Sequence, residues 1–90
     1  MPTARRYLIT GRVQGVGFRF FVHDAAVREG INGWVRNLPT GHVEVSAEGE
    51  PEAVARFERQ LRQGPPAARV DRVDTVEESH PLHHSGFSIR

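Results

Sequence analysis

The sequence has no cysteine, no long apolar run and almost no excess of charge of one sign. The absence of cysteine excludes disulfides, thiol nucleophiles and thiolate metal sites. No apolar stretch approaches the roughly 20 residues that a membrane-spanning helix needs, and the N-terminus lacks the apolar core of a signal peptide. Twelve basic residues against 11 acidic ones favour neither nucleic acid nor an anionic membrane as a partner. We expect a soluble, monomeric, cytoplasmic protein with one domain over residues 1–90.

The spacing of the apolar residues predicts strands that alternate with two helices. Alternation of apolar and polar residues predicts strands over 6–13, 31–38 and 42–48. Helical spacing predicts helices over 18–29 and 51–63. The second helix begins with proline and is followed by glycine and two prolines, which are typical start and stop signals.

The residues after the second helix fit more than one structure. Val70, Val73 and Val76 recur every three residues, which is a helical spacing. Their β-branching and the short, proline-bounded segment favour a strand with a bulge instead. Residues 87–90 are a candidate short fifth strand. The order β-α-β-β-α-β predicts an α+β fold of the ferredoxin-like type, in which two helices cover one face of an antiparallel sheet.

The link between the first strand and the first helix has the composition of an anion-binding loop. Two glycines lack a Cβ, so the backbone can curl there and point successive N–H groups inward. The start of a helix adds its partial positive charge, and an arginine in the first turn offers a planar fork of donors. A Gly-x-Gly turn is often only a turn, and this one matches neither the dinucleotide-binding nor the P-loop pattern. The predicted phosphate-binding residues are Gln14, Gly15, Val16, Gly17, Phe18 and Arg19.

The predicted topology brings a second polar residue to this loop. A strand-helix-strand crossover makes the first two strands parallel, so their C-terminal ends lie at the same edge of the sheet. The glycine loop leaves the first strand there, and Asn37 lies near the end of the second. Alone, Arg19 would be an ordinary solvated helix residue and Asn37 an ordinary turn residue. Together they are expected to face one crevice.

Two long motifs resemble the acylphosphatase family. They are residues 11–19 (GRVQGVGFR) and 33–37 (GWVRN), and residues 41–44 (GHVE) and 87–89 (FSI) extend the match over nearly the whole chain. Two motifs at matched spacing are more specific than a single glycine pattern. The resemblance implies a metal-free hydrolase of small-molecule acyl phosphates that needs no cofactor. Thr40 stands where relatives often have Asp, and we expect that difference only to tune the turn.

The resemblance assigns the family's catalytic arginine and asparagine to Arg19 and Asn37. The chemistry of these side chains agrees with that assignment. Phosphoryl transfer depends mainly on positioning and on electrostatic stabilisation, which an arginine supplies. A carboxylate leaving group, whose conjugate acid has a pKa of roughly 4, needs no general acid. The Asn37 amide does not ionise, so its expected role is to orient the attacking water through hydrogen bonds.

The histidines offer other interpretations. His23 lies four residues after Arg19 on the same helical face, where it could orient the guanidinium, although an exposed surface histidine is the favoured interpretation. His80, His83 and His84 could bind a metal. Their loop-like, proline-containing stretch has no cysteine and no suitably spaced acid, so we expect no metal site there.

Functions without catalysis also stay open, namely a phosphate- or RNA-binding module and a phosphate sensor. Residues 15–22 resemble an RNA-recognition signature superficially, but their aromatic residues fall in the loop and the first helix rather than on a central strand. Trp34 and Phe20 are expected to pack in the core or at the sheet edge rather than to form a platform for a substrate. An acylphosphatase-like first domain of a larger protein is a further alternative, and a stand-alone enzyme is the favoured one.

Overall fold

A computed structural model describes residues 2–78 and 85–90, which form two helices and one five-stranded sheet. The predicted order of elements is confirmed, and the candidate fifth strand is present. His80, His83 and His84 lie outside the described residues, and with them the metal interpretation of that stretch. The elements are β1 (Thr3–Arg12), α1 (Phe18–Glu29), β2 (Asn32–Asn37), β3 (Val43–Gly49), α2 (Pro51–Gln63), β4 (Arg69–Glu78) and β5 (Phe87–Ile89).

The strands lie in the order β4-β1-β3-β2-β5. β1 pairs antiparallel with β3 and β4, and β2 pairs antiparallel with β3, as predicted for the four main strands. The short β5 runs parallel to β2, so the sheet is mixed at that edge. Because β1 and β2 both run antiparallel to β3, they point the same way. Val43 of β3 pairs with Ile9 of β1 and with Asn37 of β2, which brings the two C-terminal ends to one sheet edge.

The helices pack their apolar stripes against one face of the sheet. In α2 the apolar stripe of Val54, Phe57 and Leu61 is fully buried, because these positions repeat at helical spacing along one side. Neither helix of the described residues is long and apolar enough to cross a membrane. The core between sheet and helices includes Tyr7, Ile9, Val22, Ala25, Ala26, Val35, Val43, Val45, Val54, Phe57 and Leu61.

The pairing of β4 with β1 explains why the valines of β4 are three residues apart. The register of β4 against β1 shifts between Thr10 and Gly11, which leaves one extra residue in β4 at Asp71. Val70 and Val73 therefore lie on the same, helix-facing side of the strand although they are three residues apart. Val76 pairs with Arg6 on the opposite side and is 60% exposed. The predicted strand with a bulge is confirmed.

The sheet face opposite the helices is partly covered by its own side chains. Trp34 pairs directly with Ser46 across β2 and β3, and Ser46 is completely buried. Two guanidinium groups lie over the Trp34 ring, with that of Arg36 5.1 Å and that of Arg90 4.6 Å from the ring centroid. The predicted packing role of Trp34 is therefore confirmed. Cation–π stacking of this kind lets an indole stay largely dry on an otherwise open face.

Candidate active site

The loop between β1 and α1 leaves the start of the helix open. Gly15 and Gly17 have φ angles of 72° and 77°, a left-handed conformation that favours glycine. Gly17 is the N-cap of α1 and, as a glycine, has no side chain that could cap this helix end. The first backbone hydrogen bond of the helix runs from the Phe21 N–H to the Gly17 carbonyl over 3.0 Å. The preceding N–H groups therefore have no partner within the helix and are free to bind an anion.

A cleft of about 210 Å³ lies beside this helix start. Its polar lining comes from Gly15, Gly17, Arg19 and Asn37, so the structure brings the predicted arginine and asparagine to one cavity. The two residues are far apart in sequence, and they meet because β1 and β2 end at the same sheet edge. The apolar lining comes from Val13, Phe18 and Phe20.

Arg19 is held by the far end of the chain. Its Nη1 donates a hydrogen bond to the carbonyl oxygen of Arg90 over 3.1 Å. Arg90 itself is fixed beside β2, since its N–H donates to the carbonyl of Val35 over 2.8 Å. A guanidinium has five N–H donors, so this contact orients the group and leaves donors for a ligand.

Asn37 offers an acceptor that is not used by the described residues. It is the last residue of β2 and is half-buried. Its Oδ1 is buried and has no hydrogen-bond partner among residues 2–78 and 85–90. A buried amide oxygen without a partner costs about 1–3 kcal/mol, so this atom can accept a hydrogen bond from a water or a ligand in the cleft.

The Gln14 side chain faces the turn after β2. Its Nε2 donates to the carbonyl oxygens of Leu38 and His42, over 2.7 and 2.9 Å. These bonds use both N–H groups of the amide, so the side chain has none left to donate to a phosphate. They tie the glycine loop to the turn that follows Asn37. Sequence reasoning missed this contact, because no local pattern indicates a partner 24 or 28 residues away.

The structure places three other positions considered in the sequence outside the polar lining of the cleft. Val16 is absent from the cleft lining, and its side chain packs against the core. His23 is partly exposed and contacts the ring of Phe87, with the centroids 6.2 Å apart, rather than the cleft. Phe20 was expected to pack in the core or at the sheet edge, and this expectation is wrong: the side chain is 66% exposed and lines the cleft.

No carboxylate, histidine or cysteine contributes to the lining of the cleft in the part of the chain that the structure describes. Residues 2–78 and 85–90 contain no group of three His, Cys, Asp or Glu side chains arranged to hold a metal. The charge of the site therefore comes from Arg19 and from backbone N–H groups, which suit an anionic ligand.

Comparison with known proteins agrees with this arrangement. The family model described as Acylphosphatase matches residues 5–89. The chain belongs to the acylphosphatase family. It is 54% identical to an acylphosphatase from Koribacter versatilis (strain Ellin345) over 85 residues, which are 94% of this chain and 77% of that protein.

Solved structures of the acylphosphatase fold superpose on the whole chain. The crystal structure of acylphosphatase from Bacillus subtilis has a TM-score of 0.95 at 38% identity and covers 100% of this chain and 99% of its own. Full-length HypF in a phosphate- and nucleotide-bound form has a TM-score of 0.92 at 32% identity, and the match covers 12% of that much longer chain. The same fold thus occurs both alone and within a larger protein.

Proposed function

We propose that this chain, a hydrolase of the acylphosphatase family, splits small-molecule acyl phosphates into a carboxylate and inorganic phosphate without a metal ion. The observation that supports the proposal most is the shared cleft of Arg19, Asn37 and the open start of α1. Hydrogen-bond donors that can bind a phosphate, and an amide that can orient a water, then flank one small cavity. This is what an in-line hydrolysis of a phosphoryl group requires.

The phosphoryl group is bound by the backbone N–H groups of residues 15–19 and by the Arg19 guanidinium. These donors are fixed before the substrate arrives, because the glycine loop is shaped by its own backbone and Arg19 is held by the Arg90 carbonyl. Preorganised donors stabilise the charge that builds on the phosphoryl oxygens without rearranging. An arginine in this role contributes about 10³–10⁵ in rate.

The attacking water is oriented by Asn37. Its Oδ1, which lacks a partner among the described residues, accepts a hydrogen bond from the water and aims a lone pair of the water at phosphorus. The new bond forms between the water oxygen and phosphorus, and the bond from phosphorus to the bridging oxygen breaks. The carboxylate leaves with the bonding electrons and needs no proton. The proton of the water passes to a phosphoryl oxygen, since no ionisable carboxylate or imidazole is found in the described lining of the cleft.

Hydrolysis of benzoyl phosphate, followed by ultraviolet absorbance in EDTA, tests this function. We expect rapid turnover by the wild type and a fall in kcat of about 10²-fold or more for Asn37→Ala, with inhibition by inorganic phosphate unchanged. Arg19→Lys should lose both activity and phosphate affinity, since an ammonium cannot form the planar fork. Arg59→Lys on the exposed side of α2 is the matched control and should behave as wild type.

Several outcomes would contradict the proposal. Phosphate binding by a folded wild type that turns over no acyl phosphate would leave a binding module. Loss of phosphate affinity in Asn37→Ala with a normal kcat would refute the role given to Asn37. An ionisable enzyme group that titrates in kcat while the substrate stays in one protonation state would refute transfer of the proton to the substrate.

A further inference from the structure

The rim of the cleft carries an exposed aromatic ring that the hydrolysis proposed above does not use. Phe20 is 66% exposed, and it is the next residue after Arg19 in the first turn of α1. Single exposed apolar residues are common on protein surfaces, so exposure alone indicates no ligand. Val27 of the same helix and Val76 of β4 are about as exposed, yet neither lines the cleft. Phe20 combines the exposure with a place in the site.

The other apolar residues of the cleft offer little surface to a ligand. Val13 and Phe18 are each only 2% exposed, because their side chains belong to the core. Phe20 is therefore the main accessible apolar surface in the described lining. The polar groups of the lining come from Arg19, Asn37 and the glycine loop. The lining thus has a polar half, which suits a phosphoryl group, and one exposed apolar side chain.

We propose that Phe20 contacts the acyl group of the substrate and makes the enzyme prefer acyl phosphates with an aromatic or bulky aliphatic group over acetyl phosphate. This inference rests on the proposed hydrolysis. The phosphoryl group occupies the N–H groups and Arg19, so the acyl group lies outside the polar half. An aromatic ring next to Arg19 is the surface that removes an apolar acyl group from water.

Kinetics separate this role from catalysis. Contact with the acyl group is made equally in the bound substrate and in the transition state, so it changes KM and leaves kcat alone. For Phe20→Ala we expect the KM of benzoyl phosphate to rise about tenfold, the low end of what contacts in an apolar pocket give. The KM of acetyl phosphate and inhibition by inorganic phosphate should change by less than about twofold. Phe20→Leu should lie between the two proteins, because it retains part of the apolar surface.

The control is Val27→Ala, which removes apolar surface of similar exposure from the same helix away from the cleft. It should leave the ratio of the two KM values at the wild-type figure. An equal rise of KM for both substrates in Phe20→Ala, or a fall in kcat for both, would assign Phe20 to the structure of the loop and overturn the proposal.

A binding experiment keeps this inference separate from the proposed hydrolysis. Benzoylphosphonate and acetylphosphonate, which carry the same acyl groups on a non-hydrolysable phosphorus, can be titrated calorimetrically into both proteins. We expect the wild type to bind benzoylphosphonate more tightly, and Phe20→Ala to lose that preference. A wild type that binds with this preference but turns over nothing would refute the hydrolysis and retain the role of Phe20. Equal binding of both phosphonates by the wild type would refute the role of Phe20 whatever the turnover.

Discussion

Replacement of Gln14 by glutamate is the sharpest test of how the two halves of the cleft are held together. The Gln14 amide donates two hydrogen bonds, of 2.7 and 2.9 Å, to the carbonyl oxygens of Leu38 and His42. Gln14→Glu keeps the size of the side chain and removes both donors. It also puts a carboxylate beside two carbonyl oxygens, which repel it. The loop and the turn after Asn37 should then separate.

The expected losses of stability and of kcat follow from these contacts. Two part-buried hydrogen bonds at about 1 kcal/mol each give a loss of about 2 kcal/mol in the free energy of unfolding. In a domain of this size that lowers Tm by about 8–16 °C. Because Leu38 follows Asn37 directly, a shift of the turn also moves the Asn37 amide, which we propose orients the attacking water. A displacement of about 1 Å can cost about 10²-fold in rate, so we expect kcat to fall about 10- to 100-fold.

Three measurements on Gln14→Glu test whether Gln14 holds the glycine loop against the turn after Asn37. They are thermal unfolding, kcat with benzoyl phosphate, and inhibition by inorganic phosphate. The phosphate affinity should change by less than about threefold, because the N–H groups of the loop remain. Gln63→Ala on α2, which removes an exposed glutamine, is the control and should shift stability by no more than about 0.5 kcal/mol. Wild-type kcat and Tm in Gln14→Glu would refute the reasoning. Loss of phosphate affinity with normal kcat would show that Gln14 acts on the phosphate instead.

Two further predictions concern stability. Phe57→Ala should lower the free energy of unfolding by about 3–5 kcal/mol in urea denaturation, since the ring is fully buried against Tyr7 and Phe87; a loss below about 1 kcal/mol would contradict this packing. The Nε of Arg56 lies 2.7 Å from the Oε1 of Glu29, and this contact lowers the pKa of the Glu29 carboxyl below its usual 4.5. The stabilisation from Glu29 is therefore present above pH 4.5 and is lost as the pH falls through the lowered pKa. Glu29→Gln should therefore be less stable than wild type at pH 7, and in the same assay this difference should shrink as the pH is lowered below 4.5; a difference that does not change with pH would refute the linkage.

Much of the fold could be predicted because its signals are local. The apolar stripe of α2, with proline at its start and glycine after its end, needs no information from elsewhere in the chain. The strand β4 was harder to assign, since the bulge at Asp71 replaces alternation by a spacing of three. Only the pairing with β1 shows that Val70 and Val73 share a face and that Val76 does not.

The site likewise has parts that could be predicted from the sequence and parts that could not. Arg19 and Asn37 could be predicted to lie together because a strand-helix-strand crossover makes β1 and β2 parallel, so both strands end at the same edge of the sheet. The contacts that hold them could not be predicted. Gln14 reaches a turn 24 and 28 residues on, and Arg19 reaches a carbonyl 71 residues on. The exposure of Phe20 was missed because a large apolar side chain such as phenylalanine is usually buried.

These long-range contacts make the position of Arg19 depend on the smallest strand of the sheet. The carbonyl that orients its guanidinium belongs to Arg90, directly after β5. β5 pairs with β2 over only three residues, flanked by one backbone hydrogen bond on each side, from the Gly33 N–H to the Gly86 carbonyl and from the Arg90 N–H to the Val35 carbonyl. Short edge elements open at lower free energy than the core. Because Phe87 of β5 packs against Phe57 in the core, the small strand resists that opening, and the ring contact stabilises the position of Arg19, to which we assign the phosphoryl group.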